Sequence, residues 1–139
     1  MPARNMAEMV REQETLTLPV GATVLEACIA LHERKSGAAL IVDDGKLVGI
    51  FTARDAVHAL ARGLDPPRTL ISQAMTADPC CLGAQGEPMD ALRLMQDGGF
   101  RHLPVVEDGK LLGMVQRHDF HALEHRRMDD ETDLFETIR

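Results

Sequence analysis

One stretch of the chain is written twice. "IVDDGKLVGIFTARD" occupies residues 41–55 and "VVEDGKLLGMVQRHD" residues 105–119, an offset of 105 − 41 = 64. Seven of the fifteen aligned pairs are identical, and the identities fall on Val, Asp-Gly-Lys-Leu, Gly and the final Asp. Those letters are turn punctuation as well as apolar filler. Asp44-Gly45 and Asp108-Gly109 each sit between short apolar runs and predict type I′ hairpin turns, whose two central residues need positive φ. Upstream, "TVLEACIALHER" (23–34) aligns with "EPMDALRLMQDG" (87–98). Val24, Leu25, Cys28 and Leu31 in the first, and Met89, Leu92 and Met95 in the second, recur at helical spacing. Thr23-x-x-Glu26 is the pattern of a capping box. A new helix is expected after each hairpin, near Ala53 and near Arg117.

Each copy therefore reads helix, strand, turn, strand, helix in about 50 residues, too little for a two-stranded hairpin to stand alone in water. The expected fold class is α+β, with two pseudo-twofold-related βαββα units whose small sheets pack together between flanking helices. The expected organisation is an N-terminal arm (1–14), unit 1 (15–72), unit 2 (73–128) and an acidic C-terminal tail (129–139). The Gly and Pro residues of "RGLDPPRTLISQAMTADP" (62–79) mark a linker.

Composition narrows the function. The formal net charge is −7, which disfavours a sequence-independent grip on nucleic acid or on an anionic membrane surface. The N-terminus has no apolar run of signal-peptide length, and nothing later approaches a membrane span; a cytoplasmic protein is expected. Four Phe and no Trp or Tyr leave an aliphatic core supplemented by eight Met, among them Met89, Met95 and Met114. Three cysteines are an odd set, not a disulfide framework. Cys28 belongs on an apolar helix face, and Cys80-Cys81 reads as a packing pair at a strand start. No catalytic constellation, P-loop or dinucleotide fingerprint appears, so no enzyme is expected. His118, His121 and His125 are spaced by three and four, but three ligands on one straight helix do not converge on a tetrahedral ion. No metal site is expected.

The tandem unit, most visible in "RHLPVVEDGKLLGMV" (101–115), resembles the cystathionine β-synthase (CBS) domain pair across about residues 15–127. That resemblance implies clefts between the two sheets that take adenosine compounds (AMP, ADP, ATP or S-adenosylmethionine) as regulatory ligands rather than cofactors. It also implies dimerisation through helices and an effector protein that the sequence does not name. In one cleft it implies ligand contacts from Ile50, Thr52 and Asp55, completed by Arg101, His102 and His118 of the other copy. In a second cleft it implies Asp119 and Met114 with Gly37, Ala38 and Arg54; with one Arg and no hydroxyl, against an Arg and two His in the first, that cleft is expected to bind more weakly. A ligand-free interaction module of the same fold is the alternative.

The letters that differ between the copies bear on this choice. Thr52-x-x-Asp55 reads either as a capping box or as a ligand site, in which the carboxylate takes a ribose diol. The second copy replaces the hydroxyl by Gln116, a poor N-cap, yet keeps Asp119. On a capping account alone nothing retains that Asp, so the ligand reading is favoured.

Overall fold

The computed structural model describes residues 15–120. The expected arm, the tail, His121 and His125 lie outside the described residues, as does the side chain of His118.

Chain order explains how the two copies are built. In unit 1, β1 (Thr17–Pro19) leads into α1 (Val24–Arg34), then β2 (Ala38–Asp43), β3 (Lys46–Thr52) and α2 (Ala53–Ala61). The next strand, β4 (Thr76–Ala77), lies in the stretch between the copies. In unit 2, β5 (Leu82–Gly83) leads into α3 (Pro88–Gly98), β6 (His102–Glu107), β7 (Lys110–Gln116) and a 3-10 turn at Arg117–Phe120. The 64-residue offset persists at this level. β2 and β3 are antiparallel with a register shift between Ile41 and Val42, and β6 and β7 repeat it between Val105 and Val106. β1 joins β2 in parallel, and β5 joins β6 the same way. Both hairpin tips have the conformation their residues require, with φ of 53° and 77° at Asp44-Gly45 and 51° and 78° at Asp108-Gly109.

Each of the three described α-helices, and the 3-10 turn at Arg117–Phe120, starts in the same way. The backbone N–H of the residue before the helix donates to a carboxylate three residues on: Thr23 to Glu26 (3.3 Å), Thr52 to Asp55 (2.9 Å), Glu87 to Asp90 (3.4 Å) and Gln116 to Asp119 (2.6 Å). This arrangement satisfies a donor that the helix itself leaves unpaired. It corrects the argument from Gln116, because Asp119 keeps a capping function without a hydroxyl partner.

Among the described residues, three apolar clusters hold the fold. Val24, Ala27, Ile41, Phe51 and Ile71 centre the core of unit 1, while Leu92, Met95, Leu103, Val105 and Phe120 centre that of unit 2. Ala38, Leu40, Ile50 and Met114 form the third cluster, which joins β2 and β3 of unit 1 to β7 of unit 2 within one seven-stranded sheet. Backbone pairing between the two hairpins is confined to one rung, Lys46 opposite Lys110. Side-chain packing, not a continuous ladder, therefore sets how the units meet.

The stretch read as a linker is part of the fold. It forms 3-10 turns at Pro66–Arg68 and Ile71–Gln73, and Ile71 is wholly buried in the unit 1 core. The Ile71 N–H donates to the Ala22 carbonyl at 2.7 Å and the Val24 N–H to the Thr69 carbonyl at 2.8 Å. Beyond it, β4 pairs with β3, placing Ala77 opposite Gly49 and Thr76 opposite Ile50. The Met75 side chain fills the space where Gly49 lacks a Cβ. Two cysteine and methionine expectations also change. Cys80 and Cys81 are exposed rather than packed, and Met89 is exposed on α3.

Candidate functional site

A cavity of about 390 Å³ opens where the first turn of α2 faces the start of β6, a size that suits a small organic ligand. Unit 1 contributes Gly37, Ile50, Thr52, Arg54 and Asp55, and unit 2 contributes Phe100, Arg101 and His102. Thr76, Pro79 and Cys80 close the wall from the stretch between them.

Asp55 is the most constrained polar group here. Its Oδ2 accepts the Thr52 N–H at 2.9 Å and the Thr52 hydroxyl at 3.1 Å. In return the Asp55 N–H donates to Thr52 Oγ1 at 3.2 Å. Its Oδ1 accepts the Thr76 hydroxyl at 3.2 Å. The carboxylate is half-buried and fixed from two sides. Helix amides contribute less to anion binding than the fold first suggests. Of the first donors of α2, Ala53 N–H is committed to the Gly37 carbonyl at 3.1 Å and Asp55 N–H to Thr52. The positive charge lining the cavity comes instead from the guanidinium groups of Arg54 and Arg101, with His102 beside them.

Of the residues expected in this cleft, Ile50, Thr52, Asp55, Arg101 and His102 line it together. Gly37 and Arg54, expected in the second cleft, line this one as well. The reason lies in backbone bonding. The Ala53 N–H ties Gly37 to the start of its own unit's helix, just as the Arg117 N–H donates to the Arg101 carbonyl at 2.9 Å in the second copy. The segments before β2 and β6 thus meet at the centre, and a Cβ built on Gly37 would lie 3.1 Å from His102 Nε2. Ala38 and Met114, also expected in the second cleft, are buried in the cluster that joins the two units. Asp119 caps Gln116. Thr76, Pro79, Cys80 and Phe100 were missed. Thr76 and Pro79 sit in the stretch read as linker, Cys80 directly follows it, and none of the four lies within the matching "DGKL" repeat. Although Cys81 is exposed, partial desolvation by its surroundings raises its thiol above the ordinary range, and the neighbouring Cys80 raises it further. Burial likewise raises Cys28.

Comparison with known sequences decides the family. The profile of the CBS domain matches twice, over residues 7–62 and 71–123. The chain belongs to the CBS domain family. As a CBS pair it is 39% identical over 108 residues to the CBS domain-containing protein CBSCBSPB3 of Arabidopsis thaliana, covering 76% of this chain and 19% of that protein. The chain thus spans about a fifth of the length of that plant relative. A CBS-domain containing protein of Agrobacterium tumefaciens superposes with a TM-score of 0.77 at 30% identity, over 86% of this chain and 98% of that one. The CBS domain pair of protein MJ0100, in complex with 5′-methylthioadenosine and S-adenosyl-L-methionine, superposes with a TM-score of 0.73 at 27% identity, over 86% and 98% of the two chains. Among the described residues, no helix of this CBS pair is long and apolar enough to cross a membrane.

Proposed function

We propose that this CBS pair is a regulatory module that binds an adenosine compound in the Asp55 cavity and passes its occupancy to a partner protein. The observation that carries this reading is the joining of Thr52 and Asp55 from one unit with Arg101 and His102 from the other around one cavity. A half-buried carboxylate suits the adjacent hydroxyls of a ribose, because hydrogen bonds to a charged acceptor are among the stronger ones. Ile50, Pro79 and Phe100 offer apolar surface for a purine. Arg54 and Arg101 supply the local cations that a phosphate requires in an acidic protein. The similarity to the MJ0100 pair, which holds two adenosine derivatives, supports the same ligand class. A ligand drawn to residues of both units biases how those units sit together, and that bias is what a partner would read.

Calorimetric titration with AMP, ATP and S-adenosylmethionine tests the proposal. At least one is expected to bind, and Asp55→Ala is expected to weaken that binding roughly 30- to 150-fold, the value of hydrogen bonds to a charged group. Absence of heat with all three ligands would overturn the proposal and favour a ligand-free interaction module.

A further inference from the structure

The Asp55–Thr76 hydrogen bond connects the site to a strand outside the repeat. A carboxylate offers about four lone-pair positions on its two oxygens. The Thr52 N–H and hydroxyl take two of them on Oδ2. Thr76 Oγ1 takes another on Oδ1 at 3.2 Å. Roughly one position is then left, whereas a vicinal diol brings two donors. The position of Thr76 is not accidental, because three contacts hold it. Its backbone pairs with Ile50 across β3, the preceding Met75 packs over Gly49, and the side chain itself lines the cavity.

We infer that Thr76 is an internal competitor for the ligand: its hydroxyl occupies the place on Asp55 Oδ1 that a ligand hydroxyl takes, so it sets the affinity of the site. This inference rests on the ribose reading of Asp55 given above. It assigns a role to a residue that lies outside the repeat and lines the cavity from the stretch between the units. Entry of a diol exchanges the Thr76 bond for a ligand bond, and the net gain is smaller than the bonds counted in the complex. Exchange also releases the β4 side chain from Asp55, so the stretch joining the two units registers whether the site is filled.

A competitor has a signature opposite to that of a supporting residue. Thr76→Val keeps the β-branched shape that suits a strand and deletes the hydroxyl. Because Thr76 is exposed, little packing is at stake. The experiment titrates AMP into the wild-type chain, Thr76→Val, Thr76→Ser and the double variant Asp55→Ala/Thr76→Val. Thr76→Val is expected to bind AMP roughly three- to tenfold more tightly, the value of one ordinary hydrogen bond, while Thr76→Ser stays near wild type. In the Asp55→Ala background the valine is expected to change nothing, since a coupled pair loses its interaction when either partner is gone. Wild-type binding with equal or weaker affinity in Thr76→Val would overturn this inference and leave the ribose reading standing. No binding of AMP, adenosine or S-adenosylmethionine by either wild type or Thr76→Val would overturn both.

Discussion

Asp55 and Asp119 are twins at an offset of 64 that do different amounts of work. Both accept a backbone N–H at the start of a helix, which is why the motif survives in each copy. Asp55 is in addition joined by a threonine hydroxyl on either side of it and faced by an Arg and a His from the opposite unit. Asp119→Ala is therefore expected to lower stability by about 1–2 kcal/mol, measured by urea denaturation, since it leaves a helix-start donor unpaired. It is expected to change AMP affinity by less than threefold. A loss of affinity as large as that of Asp55→Ala would show that the second cleft binds the ligand equally well. That Thr52, Asp55, Arg101 and His102 share one cavity was legible only through the resemblance to the CBS pair, since Asp55 is identical in both copies and the spacing of Thr52 and Asp55 alone also fits a capping box. The assignment of Gly37 and Arg54 was not legible, because it depends on a single backbone bond between Ala53 and Gly37 that no side-chain pattern records. The retention of Asp119 misled for a related reason: half of a capping box needs only a carboxylate.

At the scale of elements, the hairpins and first helices were readable from local chemistry. Asp-Gly turns demand positive φ, and Thr23 with Glu26 closes its box as its spacing predicts. The stretch 62–79 was misread because Gly and Pro punctuate it without saying what lies between them. Ile71 has no periodic neighbours to announce it, yet its side chain completes the core of unit 1. Ile71→Ala is expected to destabilise the fold by about 2–5 kcal/mol, the range for emptying a buried aliphatic site. A shift of the urea midpoint equivalent to less than 1 kcal/mol would return this segment to the status of a linker. The C-caps show how the copies diverged while keeping one backbone. Lys35 and Gly99 occupy equivalent positions after α1 and α3, and both are left-handed, with φ of 51° and 71°. A lysine in that conformation is strained where glycine is not, so Lys35→Gly is expected to cost little or to stabilise. The same urea titration checks it.

For the whole molecule, the twofold plan was legible and the way its halves join was not. α1 and α2 pack beside each other and leave Leu25, Ile29, Val57 and Leu60 between 40% and 66% exposed, a concentration of apolar side chains that is costly to leave in water. A homodimer formed through these helices is the expected assembly. Sedimentation at tens of micromolar is expected to give twice the 15.3 kDa chain mass, and Val57→Glu to give the monomer. A wild-type species that stays at 15.3 kDa at that concentration would remove this assembly. Inside each chain the halves are joined differently, by the packing of Ala38, Leu40 and Ile50 with Met114 and by one backbone rung that sets Lys46 opposite Lys110, both exposed. Like charges placed directly across a ladder repel, and dissolved ions shorten the reach of that repulsion. Asp43 stands opposite Lys46 and Glu107 opposite Lys110 across their own hairpins, so the seam carries a row of acid, base, base and acid whose outer carboxylates offset the repulsion at its centre.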